Sequence, residues 1–420
     1  MPEAATPSGP RVLILGLNYA PEPIGIGAYT SGLAQGLARL GFVVDVISGV
    51  PYYPAWQVYP GFSAWRWQSG AEHGVRVTRC PIYVPARPGG LRRILHLASF
   101  SLSSLPAVLA RSRRTRPDVV VCPAPSLLSI PIAWLGAKMA GARLWIHVQD
   151  FEVEAAFATG LMRERSKLAK WARKVENSLL RLGDRVSSIS PQMCRRLLEK
   201  GVAPEKVREL RNWANVPQID PAGGEAYRAE WSIGEKAVAL YSGNIANKQG
   251  IEIIIDAARL LQERTDLLFL ICGEGPNRQR LEAMAKGLPN VRFEALQPTG
   301  RLGELLALAS VHLLPQIAGA ADLVLPSKLT NMLESGRPVV ATAVAGTGLY
   351  EEVDGCGLLV DPGDAQGFAE AIGQLVDNAE LARQLGENGR RRSRERWREE
   401  VIIARFADEF RAVSRGAAAP

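Results

Sequence analysis

Along this chain, short continuous apolar runs alternate with longer amphipathic stretches, and the alternation recurs from end to end. Arg11 to Gly16 (RVLILG) is uninterrupted and partly β-branched, as a strand covered on both faces must be. A loop from Leu17 to Gly27 follows, then a helical stretch from Ala28 to Leu40 with Gly41 at its C-cap. Phe42 to Ser48 is the next strand, and the three make a βαβ unit. The pattern predicts further strands at Asp118–Cys122, Arg143–His147 and Arg185–Ile189. Helices are expected from about Arg163 to Leu182 and from Pro191 to Lys200. A second start comes at Ala237–Ser242 (AVALYS), with a helix over Ile251–Gln262 and a strand over Leu267–Cys272. Strands recur near Val291–Phe293, Val311–Leu314, Val339–Thr342 and Gly357–Val360. A last helix is expected over about Asp364 to Ala412, broken near Gly386–Gly389.

Strands alternating with helices in this way predict an α/β protein with doubly wound parallel sheets. At 420 residues the chain exceeds one ordinary core, and Pro, Gly and Asp cluster at Pro217–Gly224. The expected division is a loose tail over 1–10, one domain over 11–215 and another over 225–395. A C-terminal helix over 396–420 is expected to cross back to the first domain. Ligands of such sheets bind beyond the carboxyl ends of the strands, so the loops there, along a cleft between the domains, are where chemistry is sought.

Charge changes the picture. Residues 1–210 hold 27 Lys+Arg against 14 Asp+Glu, and residues 211–420 hold 23 against 28. A basic first half suits an anionic partner such as nucleic acid, an anionic bilayer or a polyprenyl phosphate; an Arg-rich background composition is the plainer source. Five scattered cysteines have no metal-ligand spacing and no disulfide framework, which suits a reducing cytoplasm. The first residues, MPEAATPSGPR, lack the apolar core of a secretory signal. The nearly uncharged run Ile94–Ala110 holds His96, four serines and Pro106, and is short for a membrane span.

Several loops could carry chemistry. Asn18 to Gly27 (NYAPEPIGIG) joins the first strand to the first helix, and Gly25 and Gly27 let the backbone approach a ligand. It is not a dinucleotide fingerprint, since no glycine stands three beyond Gly27 and no acidic residue ends the second strand, so hydride transfer is disfavoured. Gly243 to Gly250 (GNIANKQG) holds the equivalent place in the second half. Its amides could hold a diphosphate, with Lys248 adding charge, although no G-K-[ST] closes a P-loop. Pro326-Ser327-Lys328 opens a helix that Gly336 ends, and a helix start with a lysine on its first turn suits an anion. His147 and Asp150 end a strand and are acid/base candidates; packing and N-capping are the alternatives. Tyr52, Tyr53 and the aromatic residues from Trp56 to Trp67 could stack on a sugar, sit at a membrane interface or pack under a loop. Leu91 to Arg116 has arginines at both ends of an apolar centre, suiting a helix in the headgroup plane or an ordinary buried helix.

Together NYAPEPIGIG, GVPYYPAWQV, HVQDFEVEAAF, YSGNIANKQGIE, CGEGP and PSKLTNMLESGRPVVAT resemble the family 4 retaining glycosyltransferases of GT-B fold. Within that family the likeness is to the colanic acid biosynthesis branch, and it runs from about Arg11 to Arg398. The resemblance implies two Rossmann-like domains facing across a cleft, with the donor nucleotide on the second. It places the base near Gly273, Glu274, Gly275, Leu296 and Gln297, and the diphosphate against Gly243, Asn244, Lys248, Ser327 and Lys328. It brings the acceptor past Gly25, Gly27, Tyr52 and Tyr53 toward His147 and Asp150. Relatives often carry Arg after the first loop glycine and Lys before the last; Asn244 and Gln249 stand there, leaving Lys248 out of register. Their Glu-x7-Glu pair falls on Leu323 and Asn331, and Asn331 retains only hydrogen bonding for the ribose.

The expected function is therefore retaining transfer of a hexose, with fucose a candidate, from a GDP- or UDP-linked donor. The acceptor is a polyprenyl-diphosphate-linked or growing glycan, made at the anionic inner face of the cytoplasmic membrane by a cytoplasmic, peripheral enzyme. Asp150, His147 and Lys328 are the catalytic candidates. No D-x-D cluster stands in the chain, so neither metal nor cofactor is expected. A sugar-nucleotide 2-epimerase would share the architecture, with activity that needs no acceptor. A nucleic-acid binder would explain the basic half, but no RNA- or DNA-binding motif is present.

Overall fold

Period-two alternation decides how the first sheet is clothed. Along Arg143–Val148, residues Leu144, Ile146 and Val148 join one apolar cluster, while Trp145 and His147 point to the opposite face. The computed structural model describes residues 9–22, 25–86, 90–124, 126–151, 153, 166–214, 219–246, 249–317 and 326–415. The chain forms two units: Met1–Arg211 with Glu400–Pro420, and Asn212–Glu399.

In the first unit the order is β1 (Arg11–Leu15), α1 (Ile26–Arg39), β2 (Val43–Gly49), β3 (Gln68–Glu72), β4 (Val75–Cys80) and α2 (Gly90–Thr115). It continues through β5 (Val119–Ala124), α3 (Ile130–Ala140), β6 (Arg143–Val148), α4 (Lys167–Leu180), β7 (Arg185–Ser188), α5 (Pro191–Glu199) and β8 (Val207–Glu209). The sheet order is β3-β4-β2-β1-β5-β6-β7-β8. All pairs are parallel except β3 with β4, so the all-parallel expectation fails at one edge. The cause is a hairpin, Gln68 to Cys80, with positive φ at His73 and Gly74, in a stretch too polar on β3 to read as a buried strand. Right-handed crossovers put α2, α3, α4 and α5 over one face, and Phe100, Val108, Ala133, Leu180 and Leu197 from them share one core cluster.

In the second unit come α6 (Gly224–Glu230), β9 (Ala237–Ser242), α7 (Glu252–Leu260), β10 (Leu267–Cys272), α8 (Arg278–Met284), β11 (Val291–Glu294) and α9 (Leu302–Leu308). Then follow β12 (Val311–Leu314), α10 (Ser327–Glu334), β13 (Val339–Thr342), α11 (Gly348–Val353), β14 (Gly357–Val360), α12 (Ala365–Asp377) and α13 (Ala379–Arg396). Its six strands are all parallel, in the order β11-β10-β9-β12-β13-β14. The last helix, α14 (Glu399–Arg415), packs its Ile403 on Gly36 of α1, and Phe410 meets Trp145 at a ring-centroid distance of 5.0 Å.

The expected helix break at Gly386–Gly389 is overturned. Helix α13 runs through both glycines, and the chain breaks instead at Asn378 and at Trp397–Arg398. A β-carbon on Gly386 would lie 2.0 Å from the Gly336 carbonyl oxygen, and one on Gly389 3.0 Å from Leu333. These glycines are there so that α13 can lie against α10. Helix α4 begins at Lys167, its Ser166 cap accepting from the Ala169 amide at 3.1 Å; Arg163 lies outside the described residues. Helix α2 is long and apolar enough by composition to cross a membrane. It nevertheless lays a stripe of His96, Phe100, Ser104, Val108 and Ser112 into the first unit.

Candidate functional site

In the second unit, β9 is the strand from which neighbours are added in both directions, so the loop after it lies at the switch point of the sheet. That loop begins with Gly243 at φ 134°, a conformation that side chains resist. It is knitted by backbone to the loop after β10. The Gly243 amide donates to Cys272 O at 2.9 Å, Ile245 N to Glu274 O at 2.9 Å, and Asn277 N to Ile245 O at 3.2 Å. The fit leaves no room for side chains: a β-carbon on Gly273 would lie 1.9 Å from Gly243 O, and one on Gly275 2.2 Å from Ile245 O. Arg278 holds this loop from below, donating to Gly273 O at 2.6 Å and Glu294 O at 2.9 Å.

Helix α10 brings Lys328 to the same place. Its Nζ lies 4.0 Å from the ring centroid of Tyr241 and beside Gly243, where a β-carbon would be 4.0 Å from it. The Tyr241 hydroxyl donates to Asn244 O at 2.7 Å, and burial pushes its pKa up. Tyrosine ring and loop therefore aim the ammonium at the Gly243 turn. Ser327 opens the helix, whose Leu329 amide turns back to Pro326 O at 2.9 Å, and Asn331 lies one turn on. The far end of α10 is clamped by Arg390, which donates to Ser335 O at 2.7 Å. Leu296 follows β11 and is 63% exposed; the neighbouring Gln297 accepts from the Tyr227 hydroxyl at 3.0 Å. The side-chain oxygens of Gln249 and Gln316 are buried with no hydrogen-bond partner among the described residues. Lys248 lies outside the described residues.

In the first unit, Gly25, Gly27, Tyr52 and Tyr53 gather round a residue not foreseen, Glu22. Only 3% exposed, its carboxylate accepts from the amides of Tyr52 and Tyr53 and from Asn18 Nδ2, each at 2.9 Å. Burial raises its pKa, against those donors, which lower it. A β-carbon on Gly27 would lie 2.9 Å from Glu22 Oε2, and one on Gly25 3.5 Å from the Tyr53 ring. The glycines thus serve the clasp between two loops. In NYAPEP the glutamate looks like an ordinary solvated charge; only its tertiary partners distinguish it.

His147 departs from the expectation of an acid or base at the surface. It is 3% exposed, with Nδ1 2.8 Å from Ser187 Oγ and its ring edge-on to Phe406 at 5.3 Å. Burial pulls its pKa down to about 4. Strand alternation sends it toward α14 with Trp145, and a side chain packed there reaches no solvent. Asp150, by contrast, is exposed at the end of β6 and accepts from the Phe151 amide at 2.9 Å. Tyr241 and Arg278 were also missed. AVALYS placed Tyr241 two before Gly243, and that adjacency was the available signal.

Comparison with known proteins follows the same division. Residues 25–213 match the Glycosyl transferase 4-like domain, and residues 224–392 match Glycosyl transferases group 1. The chain is 41% identical over 377 residues to WcaI of Escherichia coli (strain K12), a glycosyl transferase named for colanic acid biosynthesis; the match covers 87% of this chain and 92% of that one. Among solved structures, sucrose-phosphate synthase from Thermosynechococcus elongatus superposes with a TM-score of 0.72 at 20% identity, covering 97% of this chain and all of that one. Anabaena HepE, solved with UDP and glucose, gives 0.65 at 16% identity over 96% of this chain and 99% of that one. These last two likenesses are of fold.

Proposed function

We propose a donor and an acceptor for this chain, which belongs to the family 4 glycosyltransferases of GT-B fold, as enzymes of surface-polysaccharide biosynthesis. The donor is a nucleotide diphosphate hexose, GDP- or UDP-linked, held on the second unit. The acceptor is a lipid-linked or growing glycan of the colanic acid kind, met by the Asn18–Gly27 and Tyr52–Tyr53 loops of the first. The observation that carries the reading is Lys328 Nζ, aimed by Tyr241 at the Gly243 turn beside the N-terminus of α10. A full charge, helix-end amides and a glycine turn at a sheet switch point form a receptor for a diphosphate.

In this mechanism the C1–O bond to the diphosphate breaks while the acceptor oxygen bonds C1 on the same face. Anomeric configuration is retained, and the acceptor proton passes to the departing phosphate oxygen. Lys328 and the α10 amides stabilise the charge that grows on the leaving group. The oxygens of Gln249 and Gln316, which have no hydrogen-bond partner among the described residues, accept from donor hydroxyls. Asp150, exposed on the first unit, orients the acceptor hydroxyl. His147, neutral and buried, positions β6 and takes no proton. With Lys328 supplying the positive charge, no divalent ion is required.

Thermal-shift screening of the full chain against GDP, UDP, dTDP and their sugars tests this reading. One diphosphate series should raise the melting temperature, and Lys328→Ala should abolish that shift. No shift with any nucleotide, or an unchanged one in the variant, would overturn the assignment. Transfer in excess chelator should match transfer in magnesium; a loss that magnesium restores would refute metal independence.

A further inference from the structure

At the carboxyl edge of the second sheet one hydroxyl clasps a whole residue. Thr342 ends β13 and is 1% exposed. Its Oγ1 accepts from the Gln316 amide at 2.7 Å and donates to the Gln316 carbonyl at 2.8 Å. A hydroxyl has one proton and two lone pairs, so the carbonyl fixes the proton and a lone pair remains for the amide. Both backbone groups of Gln316, just past β12, are thereby taken, and only its side chain is left to move. The β9 loop closes in beside it. A β-carbon on Gly250 would lie 3.0 Å from Ile317 Cγ2 and 3.6 Å from the Gln316 carbonyl carbon. Gln249 and Gln316 therefore come from touching loops, and each has a buried side-chain oxygen with no hydrogen-bond partner among the described residues. The last torsion of glutamine is soft, so such an oxygen gives up no bond there in turning to an arriving hydroxyl. Ile317, next in the chain, and Val344, two beyond Thr342, are exposed and offer aliphatic surface to the C–H face of a sugar ring.

From this we infer that Thr342 is a positioning residue for the donor sugar, holding Gln316 beside Gln249 so that the two amides tell one hexose from another by its hydroxyls. The inference deepens the donor reading and rests on it. The labour is divided. Lys328 and the Gly243 turn grip the diphosphate whatever sugar it carries, while the amide pair meets only the sugar. One hydroxyl is enough to set the pair, because its loss strands a backbone N–H and a C=O of the same residue and frees the Gln316 loop to shift. Discrimination of this kind comes from buried polar groups that one hexose satisfies and its epimer leaves unpaired.

The test uses the full chain and calorimetric titration with GDP, UDP, GDP-mannose, GDP-fucose, UDP-glucose and UDP-galactose. Wild type should prefer one sugar over the other on its base. Thr342→Val keeps the shape and removes the hydroxyl. It should weaken the preferred sugar nucleotide at least about fivefold, with the free nucleoside diphosphate held within about twofold. Thr342→Ser restores the hydroxyl and should restore the preference. Gln316→Leu and Gln249→Leu should each repeat the valine pattern, and Gln316→Leu should add little to Thr342→Val. Gln316→Leu leaves both backbone bonds in place, so it carries the test should the valine variant not fold. Equal loss of sugar nucleotide and free diphosphate makes Thr342 a structural residue and overturns the inference. So does a serine variant as damaged as the valine one, or a wild type that treats both sugars of its base alike. Wild type without any nucleotide binding sinks the donor reading and the inference together. Binding that Lys328→Ala abolishes, with sugar preference unmoved by every Thr342 and glutamine variant, sinks the inference alone.

Discussion

The two units solve one problem in two ways. Each has a long loop after the strand at its sheet's switch point, β1 in the first and β9 in the second. The β9 loop is held by backbone: glycines at 243, 273 and 275 let two turns touch, and main-chain hydrogen bonds lock them. The β1 loop is held by a side chain, Glu22, reaching two amides and an asparagine. A backbone lock leaves the turn's surface bare, which suits a diphosphate that needs close approach. The side-chain clasp instead buries its carboxylate and leaves Pro21 and Gly25 as the exposed residues in the described part of that loop. The surfaces differ too. Of nineteen large hydrophobic residues exposed among the described residues, fifteen are in the first unit. Its size does not account for so uneven a share.

The strongest break of this comparison is Lys328→Ala. It should lower kcat/KM at least about 100-fold, roughly 3 kcal/mol of transition-state stabilisation, with far-ultraviolet circular dichroism unchanged. Turnover within a fewfold of wild type would remove the charge from the mechanism. Gly273→Ala comes next, because its methyl cannot coexist with Gly243 O. Calorimetry should show donor-nucleotide affinity down by about tenfold or more.

The first unit is probed by Glu22→Ala, which strands three donors. Stability should fall by about 2–3 kcal/mol and acceptor KM rise, while donor KM stays put. Glu22→Gln keeps an oxygen for the tyrosine amides and should recover most of both; equal damage from both variants would point to charge rather than to the clasp.

The gentlest effect is on pH. His96, His147 and His312 are all held below the ordinary histidine pKa by burial, His147 to about 4 and His312 to about 3. The unfolded chain takes up protons near pH 6.5 and the folded one does not. Stability from these groups is therefore present above pH 6.5 and lost as pH falls toward 4, at up to about 1.4 kcal/mol per unit for each. Urea midpoints between pH 7.5 and 5 should show this slope, and His147→Gln should flatten it.

Much was legible because it rests on local rules. The strands at 237–242, 267–272, 311–314, 339–342 and 357–360 stand where apolar runs of the right length put them. The helix start at Ser327 was legible because Pro, Ser and Lys before an apolar-periodic stretch mark it locally. Glu22 was not, since a glutamate between two prolines looks the same whether solvated or buried. Nor were Gly386 and Gly389, because a glycine that breaks a helix and one that lets two helices touch leave the same mark. His147 turned on alternation within β6 and on α14, which returns from about 250 residues away.

The sequence by itself therefore determined the α/β alternation, the division into two units and the family. Periodicity, caps and motif strings are properties of neighbours along the chain. Tertiary structure alone decided which polar groups would be buried and what would meet them. It set Tyr241 beneath Lys328, Glu22 between two loops, and Thr342 against the backbone of Gln316. Burial and contact depend on partners distant along the chain, and no local window holds both partners at once.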